Sequence, residues 1–208
     1  VHDKIILEAK SSSSILDIGC GRGNFLKKCY YYRDDLRLSA CDIEDVLEND
    51  IRNKVEFKIL DLNTEKLPFA EATFDVIICS HVIEHLSNPF FVFQEIIRVL
   101  KPRGVLILET PSLRSLFIPC FFPNYFKDNP TINFFDDPTH IRPYTRTSLL
   151  RLAKMAGFSE YKVSKSRNIL NILAFPLAII KFLKKDGALL SGFVGTAFGT
   201  INLLIAKK

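Results

Sequence analysis

Ile15-Leu-Asp-Ile-Gly-Cys-Gly-Arg-Gly-Asn-Phe-Leu26 is the stretch on which the fold turns. Residues 15–18 alternate as a strand does, and glycines then stand at every second position, Gly19, Gly21 and Gly23. Phe25-Leu-Lys-Lys-Cys29 begins a helical pattern. A strand entering a helix through such a loop lets backbone pass close beneath a ligand, because glycine has no Cβ, and aims free helix N–H groups at it. The pattern predicts a site for a nucleotide-like cofactor. It departs from the dinucleotide signature G-x-G-x-x-G, since Gly23 falls one place early and Asn24 stands where the third glycine belongs. No Lys-Ser/Thr follows, which excludes a phosphate-gripping P-loop.

Leu36-Arg-Leu-Ser-Ala-Cys-Asp42 reads as a second strand ending in an acid. Asp42 lies about 20 residues past the glycines, where a ribose-binding carboxylate belongs. The plain alternative is an exposed turn aspartate within the acidic cluster of Asp42, Glu44 and Asp45. Val55-Glu-Phe-Lys-Ile-Leu60 alternates into Asp61 and Leu62, and Phe74–Ser80 is a short apolar run suited to a strand covered on both faces. Ser87-Asn-Pro89 can cap a helix whose apolar face would be Phe90, Phe93, Ile97 and Leu100, with Gln94, Glu95, Arg98 and Lys101 elsewhere on the wheel. Pro102 and Gly104 are expected to stop that helix, and Val105–Glu109 to form a fifth strand.

The glycine segment resembles motif I of the class I methyltransferases, which bind S-adenosylmethionine. Residues 55–69 are similar to the family's third-strand element, whose acid sits beside the adenine amino group. Residues 74–111 resemble its F-D-V…E-H-L…E-I-x-R-V-L-K-P-G-G block, with Arg103 replacing the first glycine at an expected surface turn of little consequence. A weaker trace continues through Thr139-His-Ile-Arg-Pro-Tyr-Thr145, Leu149-Leu and Ala156-Gly-Phe158.

The resemblance implies an α/β, Rossmann-like fold: a seven-stranded, mostly parallel sheet with an antiparallel last strand and helices on both faces. It implies one methyltransferase domain over 1–208. Residues 15–111 form the cofactor core, 112–145 an acceptor lid, and 167–200 an apolar insertion between strands six and seven. The implied cofactor residues are Asp17, Gly19, Cys20, Gly21, Gly23, Asp42, Ile43, Asp61, Leu62, Ser80 and His81. The implied activity is methyl transfer to a small-molecule acceptor, expected on oxygen of a lipid, quinone-like or glycan-linked compound. Such a hydroxyl needs a base. His140 is the candidate, with a pocket-shaping loop histidine as the plain alternative. A binding protein without turnover would show damage to motif I or to Asp42, and neither is seen.

His81-Val-Ile-Glu-His85 also spells the H-x-x-E-H of a zinc hydrolase, which requires both histidines on one helical face. Here the motif sits between a strand and a Pro-capped helix. Ubiquinone-type O-methyltransferases resemble the segment through an E-x-x-E-H that binds magnesium. Glu84 and His85 match, but His81 replaces the first glutamate, and magnesium prefers oxygen ligands. The expected reading is therefore no metal, with magnesium held through Glu84 and His85 as the less favoured alternative.

The chain has 208 residues, enough for one full core, and a net charge of +5 without a dense basic tract in its first two thirds, so nucleic acid is not an expected partner. Five cysteines at 20, 29, 41, 79 and 120 include no C-x-x-C pair and predict reduced thiols in a cytoplasmic setting. No signal peptide is visible. Fourteen residues precede the first strand, where family members carry helices over the cofactor; a trimmed chain or an open site is expected. Residues 112–137 are rich in aromatics and broken by prolines. Ile169–Leu183 is nearly all apolar and closed by Lys184-Lys185. That run is short of a membrane span but could lie in an interface, so 167–186 is a candidate for peripheral membrane contact. It could equally pack on the lid or a second subunit. Oligomeric state is not read from the sequence.

Overall fold

The computed structural model describes residues 2–118, 133–165 and 199–208, with Ile180 between the last two. Seven strands form one sheet: β1 Ser14–Ile18, β2 Arg37–Asp42, β3 Val55–Ile59, β4 Phe74–Ser80, β5 Leu100–Pro111, β6 Glu160–Lys165 and β7 Ile201–Lys207. Their order is β3-β2-β1-β4-β5-β7-β6. Strands β1 to β5 pair in parallel, and β7 runs antiparallel to both neighbours. This is the sheet the sequence predicts.

Helices cover both faces. On one lie α1 His2–Glu8, α2 Asn24–Tyr32 and α3 Asn49–Arg52; on the other lie α4 Pro89–Val99 and α5 Arg146–Ala156. The core is accordingly split in two. Ile6, Leu26, Cys29 and Ile51 pack with Ile15, Ala40 and Ile78, while Val92, Phe93, Ile96, Leu149 and Ala153 pack with Leu16, Ile77 and Leu106. Central strands buried on both sides read as unbroken apolar runs, which is why Phe74–Ser80 carries no alternation.

Local signals place the helix ends as expected. Pro89 occupies the first turn of α4, and the Asn88 side chain accepts the Phe91 N–H at 3.3 Å. Thr145 and Ser148 form a reciprocal capping box at α5, and Gly157 ends it in the left-handed region.

Three expectations need correction around α4. The helix stops at Val99, and Pro102 and Gly104 lie inside β5, where the register with β4 shifts after Phe74. The buried face is Pro89, Val92, Phe93, Ile96 and Val99; Phe90 and Ile97 are only half-buried. Glu95 is buried too, because a partner network makes that tolerable. Arg98 Nε and Nη2 reach its two oxygens at 3.0 and 2.7 Å, and the Leu67 N–H donates to it at 3.0 Å. Arg98 also donates to the Phe69 and Leu67 carbonyls at 2.8 Å each, fastening the 60–73 connection to α4. Finally, Arg103 has φ 66. The glycine it replaces would sit there without strain, so the departure costs roughly 1 kcal/mol or more.

Candidate active site

The strand order reverses between β1 and β4, and ligands of open α/β sheets bind in the crevice this creates at the carboxyl ends of the strands. A cavity of about 540 Å³ opens there, within the range of small-molecule sites. Its floor is the glycine loop. The Gly19 N–H donates to the Cys41 carbonyl at 2.8 Å, binding the end of β1 to β2. A Cβ on Gly19 would stand 2.3 Å from Val82 Cγ2, so only glycine lets the loop close on the post-β4 segment. At Gly21 a Cβ would meet nothing within 4 Å; the missing side chain is cavity.

Asp42 caps β2 beside this loop. Its Oδ2 accepts the Gly21 N–H at 2.7 Å and its Oδ1 the Glu44 N–H at 3.3 Å. One carboxylate thus holds the loop and still offers lone pairs to the cavity. Ile43, 63% exposed, forms the open rim; Leu62 and Leu86 supply apolar wall, and Asp61 lines the next strand end.

Asp17 is 4% exposed, and among the described residues no hydrogen bond reaches its carboxylate. Burial first, and the Asp42 charge second, push its carboxyl up to about 8. Near pH 7 Asp17 is therefore mostly protonated, and a cation beside it would draw off that proton, so the two acids together favour a cationic ligand. The Ser80 hydroxyl, at the end of β4, is wholly closed off from solvent and also lacks a partner among the described residues. A glycine cradle, a ribose-type acid, an unpaired buried carboxylate and an orphan hydroxyl all fit a cationic adenosyl cofactor.

Of the residues expected to bind cofactor, Gly19, Gly21, Asp42, Ile43, Asp61, Leu62 and His81 line the cavity. Asp17, Cys20, Gly23 and Ser80 stand behind its wall. Gly23 acts in packing: a Cβ there would lie 2.6 Å from Leu47. Cys20 is a buried thiol pushed up to about 12, chiefly by burial, as is Cys29; Cys41 and Cys79 also rise. These four are free thiols, and Cys120 lies outside the described residues. Sequence reasoning missed Cys41, Glu44, Leu60, Asn63, Val82, Leu86 and Thr139 as cavity residues and placed His85 near the site. His85 and Thr139 were legible as part of histidine-bearing motifs, but their meeting depends on tertiary contact.

Two loops meet beside the cavity at the end of β4. After β4, His81 takes φ 57 and Ile83–His85 form a single 3-10 turn. Glu84 is fully buried and ties the region together. His81 Nδ1 lies 3.2 Å from its Oε1, and the Thr110 hydroxyl donates to its Oε2 at 2.8 Å. Its carbonyl accepts the Ile141 N–H at 2.8 Å, and the Tyr144 hydroxyl donates to the Ile83 carbonyl at 3.1 Å. Burial pulls the His81 imidazole down, but the hydrogen bond and charge of Glu84 more than offset this and raise it.

His140, expected in the cavity, stands behind His85, with ring centroids 4.7 Å apart and its side chain 5% exposed. Its other face tilts against Phe134 at 4.6 Å. The His140 Nδ1 lies 2.6 Å from the Phe134 carbonyl, and the His85 Nδ1 2.8 Å from the Thr139 hydroxyl. That hydroxyl donates to Asp137 Oδ1 at 2.6 Å. Burial would raise Asp137, but bonds from the Thr139 hydroxyl and N–H hold it below the usual carboxylate range. Of the lid aromatics that are described, Phe134 is buried, while Phe117 and Phe135 are exposed; those at 119–132 and the 167–186 insertion lie outside the described residues.

The H-x-x-E-H letters do not make a protease-type pair, because no helix carries His81 and His85 on one face and His81 is spent on Glu84. Magnesium does not fit either. Glu84 is the cluster's single carboxylate, and the other two donors are imidazole nitrogens, which a hard ion does not favour.

The chain belongs to the methyltransferase domain family, whose model matches residues 2–163, and so to the class I S-adenosylmethionine-dependent methyltransferases. It is 30% identical over 151 residues to a probable S-adenosylmethionine-dependent methyltransferase of Mycolicibacterium smegmatis, covering 69% of this chain and 51% of that one. It spans about half the length of the curated relatives it matches first. The fold is similar to that of a SAM-dependent methyltransferase from Archaeoglobus fulgidus, with a TM-score of 0.67, 21% identity, and 99% and 90% of the two chains covered. It is also similar to phosphoethanolamine N-methyltransferase 2 of Haemonchus contortus, solved in complex with S-adenosyl-L-methionine, with a TM-score of 0.67, 18% identity, and 99% and 50% covered. The cofactor of the family is S-adenosylmethionine, for which the cavity has the right fittings. Among the described residues no helix is long and apolar enough to cross a membrane.

Proposed function

We propose that this chain transfers the methyl group of S-adenosylmethionine to a small-molecule acceptor. The observation that carries this reading is the buried, donor-less Asp17 beside Asp42 beneath the glycine loop, a pair of acids that can take up a cationic adenosyl ligand with loss of the Asp17 proton. When bound, S-adenosylmethionine supplies an electrophilic methyl group on a positive sulfur. The protein's work is then mostly positioning. Gly21 admits the ligand, Asp42 takes the ribose hydroxyls, and Asp61 faces the adenine amino group. Ile43 and Leu62 flank the base, Asp17 opposes the ligand's charge, and Gly19, Cys20, Gly23, Ser80 and His81 hold the frame.

The acceptor is assigned an oxygen atom, in a lipid, quinone-like or glycan-linked compound. Support comes from the two imidazoles at the acceptor end, since a hydroxyl must lose its proton as it attacks whereas a neutral amine need not. His140 is the base in this reading; full turnover by His140→Ala eliminates it. The apolar 167–186 stretch supports contact with a membrane surface, and the four free thiols support a cytoplasmic setting. Liposome flotation of the chain with and without 167–186 tests the first. The core reading is tested by calorimetry with S-adenosylmethionine and S-adenosylhomocysteine, followed by transfer of labelled methyl to hydroxylated quinones and glycolipids. Absence of binding by both nucleosides overturns it.

A further inference from the structure

One oxygen of Glu84 and one nitrogen each of His85 and His140 lie within 4.8 Å of one another, and of the three residues His85 lines the cavity. The hydrogen bonds around them decide which nitrogens are free. The Phe134 carbonyl can only accept, so the His140 Nδ1, 2.6 Å away, carries a proton, which in the neutral imidazole leaves Nε2 bare. Thr139 has a single hydroxyl proton, and it is given to Asp137 Oδ1 at 2.6 Å. The Thr139 oxygen must therefore accept from the His85 Nδ1, 2.8 Å away, and the His85 Nε2 is bare as well. His140 Nε2 has no partner within hydrogen-bond distance; its nearest acid, Asp137 Oδ2, is 3.9 Å away and cannot donate when ionised. Two neighbouring imidazoles thus share one tautomer, each held by a separate acceptor through Nδ1. A fully buried carboxylate stands beside them with its own supporting bonds from His81 and Thr110.

We propose that the Nε2 atoms of His85 and His140, with the Glu84 carboxylate, bind a divalent first-row transition ion such as zinc. Ligating histidines characteristically donate their other N–H to a carbonyl or a carboxylate-backed group, and ligating carboxylates are themselves hydrogen-bonded. Two imidazoles and a carboxylate with an open position suit zinc, cobalt or ferrous iron, not magnesium. Tetrahedral ligands about 2.1 Å from an ion lie roughly 3.4 Å apart, so the three groups close by about an ångström on binding. The inference goes beyond methyl transfer and stands without it. Its consequence for the reaction would be that His140, once it ligates the ion, no longer serves as the base assigned to it above, so the two roles are separated by whether methyl transfer depends on the added ion.

The probe is Co²⁺ alone, added to metal-stripped protein and read by its visible absorption bands, with Zn²⁺ and Mg²⁺ as competitors. Expected is one bound equivalent with bands displaced by Zn²⁺ and not by Mg²⁺, lost in His85→Ala and in His140→Ala and retained in His2→Ala. Circular dichroism of each variant confirms folding, and His85→Ala decides the matter if His140→Ala, the more buried of the two, does not fold. Bands that survive in His85→Ala, or their absence from the wild-type protein, overturn the proposal. S-adenosylmethionine binding, measured separately with and without Zn²⁺, decides the methyltransferase reading independently.

Discussion

The backbone N–H of Gly21 is 2.7 Å from Asp42 Oδ2, so the cofactor loop and the ribose-type acid are one hydrogen-bonded unit. Removing the acid therefore removes both a ligand partner and the tie that shapes the loop. Asp42→Ala is expected to weaken S-adenosylmethionine about 100-fold or more, and Asp42→Asn, whose amide oxygen still accepts from Gly21, about 10-fold. Calorimetric affinities that are the same for both variants would show that the loop tie is irrelevant to binding.

Gly19 and Gly21 both have positive φ but separate stability from function. Asparagine tolerates the left-handed region. At Gly21 it would project into free space, so Gly21→Asn should cost more than about 10-fold in cofactor affinity. Its melting temperature should stay within about 2–4 °C of wild type. At Gly19 the same change meets Val82 at 2.3 Å and should lower the melting temperature well beyond that.

Asp17 gives a pH signature. With its carboxyl raised to about 8 from 3.8, the folded protein holds a proton that the unfolded chain has released between those values. Stability due to this group is present below about pH 4 and is lost as pH rises toward about 8. Asp17→Asn lacks the titration, so its melting temperature relative to wild type should climb from about pH 5 to about pH 8 in scanning fluorimetry.

Cofactor binding should move the other way. A cation beside Asp17 expels its proton, so wild-type affinity should rise by up to about tenfold per unit between about pH 5.5 and about 7.5. Asp17→Asn should show a flatter dependence; parallel slopes for the two proteins would remove Asp17 from contact with the ligand's charge.

Arg98 holds a buried acid in place. Arg98→Ala leaves Glu95, 6% exposed, without its partner and frees the Leu67 and Phe69 carbonyls. A loss of about 3 kcal/mol is expected in urea unfolding. A loss under about 1 kcal/mol would mean the pair behaves as a surface ion pair.

Much of the fold was legible because its signals are local. The strand–glycine–helix step at 15–26, the apolar run at 74–80 and the Asn88-Pro89 cap each arise from steric and hydrogen-bonding needs of a few neighbouring residues. The acids at 42 and 61 were legible as strand-end positions. The buried face of α4 was misjudged because Glu95 looks solvent-bound until Arg98 and Leu67, which come from different segments, are seen to satisfy it.

The chain alone thus determined the succession of strands and helices around a nucleotide-type cleft and the glycine and carboxylate chemistry at its floor, since periodicity, φ preference and strand-end position are properties of contiguous residues. Only the tertiary structure decided that Asp17 is a buried acid without a donor, that His81 belongs to Glu84, and that His140 lies behind His85. Burial, tautomer and shared hydrogen bonds depend on side chains from β4, β5 and the 133–142 loop arriving at one point, and no spacing within the sequence measures that distance.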